Sequence, residues 1–518
     1  MATRNKSIAF AIQRFKGFWS QYKQSKRGVL GIAIILVFAV VAIFAPLISP
    51  LDPMSPKWEG YYPGGTQPKL ADKLCVPIWY KSLLGMNDLS ENMKVVQDHQ
   101  FTTEESFSTQ WNWVLLTPGY NVDVQYSPTG GHQSDGCIAI SYVREETEAA
   151  PPNGEIVIRL EKEFYFPYNG NPYSFYWHYS FSIENRTALT GFPIDVAFSI
   201  RRGDEPQSYL IRSTALPFHQ VLNRWYSRAD TTQAEQSLLE ETIFTQAGNY
   251  TFEVTLTLAE SGNGRQDFTV RADNLQLLLY GRAFGLLGTT SIPDASPRDL
   301  FTMLVYGTRI SFLIGLLTAV FSVIIGLSVG LVAGYVRGLV DEALMRFADF
   351  LMVIPSLPLL IVLVTVLGKS IWNIIGVLIF MGWMGFSRSV RSMVLSLRER
   401  PFIESAKAAG AGTFYVIYKH ILPNVFALVY ISLATAVPGA VISEASLAWL
   451  GLGDITVPSW GIMLYDFGRT QTAIIKGVGE YWFWVIPPGV AIALMAMAFI
   501  LMGFSLDEVL NPRLRKRR

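Results

Sequence analysis

Glu404-Ser405-Ala406-Lys407-Ala408-Ala409-Gly410, followed by His420-Ile421-Leu422-Pro423-Asn424, lies between two long hydrophobic stretches. A short polar helix rich in Ala and Gly contributes nothing as a membrane anchor. Its small side chains let a second surface come close to the backbone, so it reads as a face against which another protein pushes. What surrounds it reads as membrane protein. Half of the residues are hydrophobic, 16% are charged, and the apolar residues gather into six charge-poor runs: 29–49, 310–335, 350–368, 370–387, 421–443 and 481–506. A helix needs about twenty apolar residues to cross the hydrocarbon core, because its backbone must satisfy its own hydrogen bonds there. A soluble fold with so many uncharged runs would be short of polar surface.

The flanks orient these runs. Arg4, Lys6, Arg14, Lys16, Lys23, Lys26 and Arg27 precede the first one, with no acid among them. Arg513, Arg515, Lys516, Arg517 and Arg518 follow the last, and the loop holding Glu404 adds Arg388, Arg391, Arg398, Arg400, Lys407 and Lys419. Excess Lys and Arg beside span ends marks the cytoplasmic face. The expectation is a multi-pass protein of the cell membrane with both termini and this loop inside. The first run is too long, and lacks the small-residue cleavage site, for a secretory signal.

Between the first two runs the pattern changes to period two. Phe252, Val254, Leu256 and Leu258 alternate with Thr251, Glu253, Thr255 and Thr257; Ile156, Ile158 and Leu160 form a second set, and Ile194, Val196, Phe198 and Ile200 a third. Such alternation between Gly, Pro and Asn clusters predicts half-buried strands of an all-β sandwich or barrel. The domain scheme is a basic segment 1–28, a first transmembrane helix 29–50 and an extracytoplasmic, mainly β-sandwich insertion 51–300. A transmembrane domain of five helices, 301–510, carries the loop 388–423, and a basic tail 511–518 ends the chain.

Downstream, an ordered series of short motifs carries a family resemblance. It runs through Tyr306-Gly307-Thr308-Arg309-Ile310-Ser311, Ala333-Gly334-Tyr335, Met345-Arg346-Phe347-Ala348-Asp349, Val390-Arg391 and the Glu404 loop. Ser443-Glu444-Ala445-Ser446-Leu447, Leu450-Gly451-Leu452-Gly453 and Pro458-Ser459-Trp460-Gly461 complete it. The series resembles the C-type permease of dipeptide/oligopeptide ABC importers over 13–51 and 294–514, with Ser405 in place of one Ala of the family's "EAA" loop. The resemblance implies the α-helical type I importer permease fold with six transmembrane helices. It implies a homologous second permease, two ATP-binding subunits and an extracytoplasmic substrate-binding protein as partners. It also implies that Glu404, Ser405, Ala406, Lys407, Gly410, His420 and Pro423 dock an ATPase, Glu404 orienting the loop by charge-assisted hydrogen bonding. Relatives have only a short connection where the β region lies, so its role has to come from elsewhere.

Several residues have a plain reading beside a functional one. Arg346 and Asp349 share a helix face and are expected to pair with each other. Glu444, Trp449, Gly451, Pro458 and Trp460 fall in a stretch too short and too broken to span, which reads as a re-entrant or gate element. An external loop with an interfacial Trp is the competing reading. Tyr173, Phe175, Trp177, Tyr179 and Phe181 lie on one face of a strand; stacking on sugar is one use of such a stripe, and core is the commoner one. Cys75 and Cys137 allow a disulfide in an oxidising compartment, and Asn185 and Asn249 head glycosylation sequons.

Absences narrow the function. The chain has no phosphate-binding Gly-rich loop ending in Lys-Ser or Lys-Thr, so ATP and Mg are expected on partner subunits and no cofactor on this chain. No Cys/His spacing suggests a metal site, no catalytic set stands out, and nothing points to nucleic acid. Charges inside the runs are nearly missing, which argues against an ion-coupled transporter. The reading is a permease subunit, itself not an enzyme, importing peptides. The same machinery carrying oligosaccharides is the alternative, and a membrane-anchored binding or sensory protein acting through its β-domain is the more distant one.

Overall fold

The computed structural model describes residues 19–55, 68–83, 88–132, 134–185, 194–203, 205–232, 238–259, 264–291 and 296–510. The chain divides into two compact units. One comprises Met1–Met54, Ser291–Pro293 and Arg298–Arg518; the other comprises Ser55–Thr290 and Asp294–Pro297.

The first unit is helical. Helix α1 (Lys26–Ile48) is capped by Ser25, whose hydroxyl accepts from the Gly28 N–H at 3.3 Å. Helix α2 (Leu300–Val336) begins at Asp299, whose carboxylate accepts from Thr302 N–H at 2.8 Å and from its hydroxyl at 2.6 Å. The Thr302 hydroxyl also meets that of Ser49 at 2.6 Å, joining the end of α1 to the start of α2. Gly326, Gly330 and Gly334 recur every four residues and so share one face of α2. A Cβ on Gly330 would lie 2.6 Å from the Ser387 carbonyl, and one on Gly334 2.7 Å from Val394 Cβ. This small-residue stripe lets two membrane helices touch nearly backbone to backbone.

Helix α2 stops where Arg337 and Gly338 both turn left-handed, at φ +62° and +66°. Helices α3 (Gly338–Val353) and α4 (Ser356–Leu367) follow, bent by 92° across Ile354 and Pro355. Proline fixes its own φ and disfavours helical geometry in the residue before it, and Ile354 is extended at φ −73°, ψ 128°. The run 350–368, expected as one straight span, is therefore broken. Helices α5 (Ile371–Gly382) and α6 (Met384–Arg398) together form the span Ile371–Arg398. Then come α7 (Pro401–Ala408), α8 (Leu422–Trp449), α9 (Trp460–Arg469) and α10 (Trp482–Leu510). Among the described residues five helices are long and apolar enough to cross a membrane, and six if the bent pair counts as one span. The chain is a multi-pass helical membrane protein.

The expected Arg346–Asp349 pair does not form. Arg346 bonds Glu342 one turn earlier on α3, at 2.9 Å, while Asp349 accepts from Arg388 of α6. A partner at i−4 and another on the facing helix outcompete the i+3 contact.

The second unit consists of two antiparallel sheets. The strands are β1 (Met93–Lys94), β2 (Asn112–Leu115), β3 (Asn121–Ser127), β4 (Cys137–Arg144), β5 (Glu155–Phe166) and β6 (Ser174–Asn185). They continue with β7 (Ile194–Arg202), β8 (Ser208–Leu216), β9 (Tyr226–Thr231), β10 (Gly248–Ala259) and β11 (Gln266–Tyr280). One sheet runs β3-β4-β11-β6-β9 with β1 beside β11; the other runs β2-β5-β10-β7-β8. The three alternating sets of the sequence are β5, β10 and β7, neighbours in the second sheet, with Val254 opposite Leu160 on one side and Phe198 on the other. Their apolar faces join those of β4, β6 and β11 in one buried cluster. Phe175, Trp177, Tyr179 and Phe181 belong to that cluster, so these four rings of the aromatic stripe are core, while Tyr173 is half-buried ahead of β6.

The disulfide that Cys75 and Cys137 would allow is not formed: both are free and buried. Cys75 Sγ donates to the carbonyls of Asp72 and Gly281 at 3.2 and 3.3 Å, whereas Cys137 opens β4 opposite Ser127. Each thiol is fixed in its own backbone setting. The Asn185 side chain and the rest of its sequon lie outside the described residues; Asn249 is exposed on β10, opposite Tyr165. On the outer face of the same sheet Glu253 is fully buried, accepting from Arg201 Nε at 2.7 Å and from Ser199 at 3.1 Å.

Candidate functional site

The Glu404 stretch folds as foreseen, into a short helix, with Pro401 in its first turn where a missing N–H costs nothing. Ala409 and Gly410 end it, Gly410 at φ +83°. The chain re-enters helix at Thr413–Val416 and passes through a π-helical turn, Ile417–Ile421, into α8. Glu404, Ser405, Lys407, Ala408, Ala409 and Gly410 are all exposed. Ile403 is completely buried with Tyr335, Val390, Val394, Val416, Ile421 and Val425. One side of α7 is thus plugged into the helical unit and the opposite side is free.

The anchoring differs from expectation. Among the described residues the Glu404 carboxylate has no hydrogen-bond or ion-pair partner, so its charge does not orient the loop within this chain. Tyr335, near the end of α2, does that work. Arg398 donates to its carbonyl at 2.6 Å, and the Arg398 guanidinium and Lys407 ammonium lie 5.5 and 5.4 Å from its ring. Ser405 bonds back to the Pro401 carbonyl at 2.9 Å. His420 is half-buried, its ring 5.7 Å from Tyr415 and 6.3 Å from Phe402; Pro423 is exposed in the first turn of α8.

The sequence reading missed the aromatic side of this loop. Phe414 is 80% exposed and Tyr418 64%, their rings parallel at 6.2 Å. Phe402 and Tyr415 are exposed beside them. The i, i+4 spacing of Phe414 and Tyr418 places them on one helix face, and that was the available signal. These rings stay in the open while Ile403, Val416 and Ile421 of the same loop are buried.

The second candidate stretch is rearranged. Glu444 and Trp449 are not in a loop but in the last turns of α8, which runs six residues beyond the expected span end. Gly451 turns the chain at φ +79°, and Pro458 and Ser459 lead into α9. Trp460 is fully buried, donating from Nε1 to the Leu304 carbonyl at 3.1 Å and pressing on Gly307, where a Cβ would lie 2.7 Å from its ring. It is not an interfacial tryptophan. Ser459 accepts from Ile462 N–H at 3.2 Å, capping α9, and donates to Glu444 Oε1 at 2.7 Å. Gly461 lets α9 lie against α8, since a Cβ there would be 2.7 Å from Ala448 Cβ.

Residues 326–516 match the family model of the binding-protein-dependent transport system inner membrane component, and residues 13–67 that of the N-terminal TM domain of oligopeptide transport permease C. These two matches leave 68–325 uncovered. The dipeptide transport system permease protein DppC of Bacillus subtilis is 36% identical over 225 residues, 43% of this chain and 68% of that protein. The glutathione transport system permease protein GsiD of Pectobacterium atrosepticum is 33% identical over 43% of this chain and 72% of its own length. A chain of the MetNI methionine ABC transporter aligns with 39% of this chain and 97% of its own, at 19% identity and a TM-score of 0.28, too low to carry weight. The chain belongs to the binding-protein-dependent transport system inner membrane components, as a C-type permease subunit of the dipeptide/oligopeptide ABC importers.

Proposed function

We propose that this subunit forms half of the translocation pathway of an ATP-driven peptide importer, paired with a homologous permease. Two ATPase subunits, which hold ATP and Mg, would serve it from the cytoplasm, and an external substrate-binding protein would deliver cargo. The termini and the Glu404 loop face the cytoplasm, and the bent α3–α4 pair serves as the sixth span. The observation that carries this reading is the division of labour in the loop. Ile403 fixes α7 to the helical unit, while Glu404, Lys407 and the Phe414–Tyr418 pair stay exposed, as a lever needs. Closure of the ATPases on ATP would push this rigid piece and open the pathway outward; hydrolysis would return it. The α8–α9 joint, with Glu444, Trp449, Gly451, Pro458 and Trp460, acts as the outer gate. The two-sheet unit is an inserted β-sandwich lying outside the membrane, placed to meet the binding protein or the partner permease.

The relatives' names favour peptides over sugars as cargo. Uptake into proteoliposomes holding the assembled importer and its binding protein decides this. ATP-dependent accumulation of labelled di- and oligopeptides is expected, and accumulation of oligosaccharides alone would contradict it. Deleting the β unit impairs docking or transport; if both survive intact, its assigned role is wrong.

A further inference from the structure

Glu444 is 4% exposed and is the only acid in Thr413–Trp449, a helix long and apolar enough to cross a membrane. Its Oε1 accepts from Ser459, and its Oε2 has no partner among the described residues. The side chain borders a small space of about 10 Å³ shared with Asp454, Ser459, Ile310, Ile314 and Ile374, just enough for one water-sized guest. Asp454 brings a second carboxyl. Its Oδ1 accepts from the N–H and hydroxyl of Thr456, and its Oδ2 from Ile371 N–H at 3.2 Å. Among the described residues no protein cation pairs with either carboxylate: Lys369 gives its ammonium to the Gly451 carbonyl at 2.7 Å, and Arg309 of α2 is exposed.

A bare carboxylate walled by isoleucine is strongly disfavoured unless a proton or ion accompanies it. Among the described residues no three His, Cys, Asp or Glu are spaced to hold a metal ion, so a divalent site of the usual kind is not built here. We propose that Glu444, with Asp454 and the Ser459 hydroxyl, binds one small monovalent cation, sodium or hydronium, at the joint of α8 and α9. Because Ser459 also caps α9, an occupied site holds that helix against α8, and an empty one loosens it. This goes beyond the importer reading and depends on neither cargo nor ATPase.

The test is thermal unfolding of the complete chain in nanodiscs, with whatever subunits co-purify, comparing sodium chloride with choline chloride at equal ionic strength. Binding to the folded state raises the transition. A saturable rise of a few degrees with sodium identifies that ion; a rise only on acidification in choline identifies hydronium. Either response disappears in Glu444→Gln, whose amide still accepts from Ser459. Asp454→Asn, at a half-exposed site, shifts the half-saturating concentration several-fold and serves if the first variant does not fold. The proposal is overturned if neither ion raises the wild-type transition, or if both variants respond as the wild type does.

Discussion

Arg391 of α6 grips Asp341 of α3 through two hydrogen bonds, Nε to Oδ1 at 2.5 Å and Nη2 to Oδ2 at 2.6 Å. The fork braces the helix that leads directly into the Glu404 loop. A second ion pair, Arg388 with Asp349, lies one turn away. Lysine keeps the charge but cannot reproduce the fork. Arg391→Lys is therefore expected to cost about 1–2 kcal/mol and to uncouple ATP hydrolysis from transport. Comparing transported substrate per ATP with the wild type checks this; an unchanged ratio and an unchanged melting temperature would refute the brace.

The Phe414–Tyr418 pair makes the opposite kind of prediction. Both rings are exposed, so the double alanine variant should change the stability of the isolated chain by under about 0.5 kcal/mol. If the rings anchor a partner, losing them weakens ATPase association by tenfold or more. Titrating purified ATPase against nanodisc-held permease separates the two effects.

Gly330 has no room for a side chain, while a Cβ on Gly376 of α5 would meet nothing within 4 Å. Gly330→Leu is expected to lose about 1–3 kcal/mol or fail to assemble, and Gly376→Ala to be near neutral. Yield and melting temperature of the two purified variants give the contrast.

His99 in the two-sheet unit gives a pH limb. Burial and then the nearby Lys94 charge push its pKa down to about 4, against an ordinary 6.5. Above pH 6.5 the imidazole is neutral folded or unfolded, and no penalty exists. Below it the unfolded chain takes up a proton that the folded chain refuses until pH 4, so stability falls through that window by about 3 kcal/mol. His99→Leu should flatten the limb between pH 6.5 and 4, as read by hydrogen exchange at β6 and β11.

Burial pushes the thiols of Cys75 and Cys137 up, to about 12 and about 11. A maleimide should label neither in the native protein and both after denaturation without reductant. Labelling that requires reductant would reveal a disulfide and contradict the structure.

Much of this architecture was legible because its signals are periodic. Charge-free runs gave the membrane helices, and period two gave β5, β7 and β10. Two kinds of feature were not. Helix ends depend on single residues: Pro355 breaks the run 350–368, and α8 passes through Ser443 to Trp449, carrying Glu444 into the helix. Side-chain partners depend on which helices meet. Asp349 therefore pairs with Arg388 rather than Arg346, and Tyr335 rather than Glu404 steadies the loop. The loop's position was readable from small residues at fixed spacing, whereas its exposed aromatic side needed the fold to show which faces stay open.

Transmission of ATP-driven motion through the Glu404 loop to a transport pathway is open to a direct experiment. It is tested most directly by purifying the chain from its native membrane, identifying the bound subunits by mass spectrometry and assaying ATPase activity. A sister permease and two ATPase subunits are expected, with activity stimulated by the binding protein and lost in a variant replacing 404–410. Recovery of the chain alone, or an ATPase complex unaffected by that replacement, would contradict it.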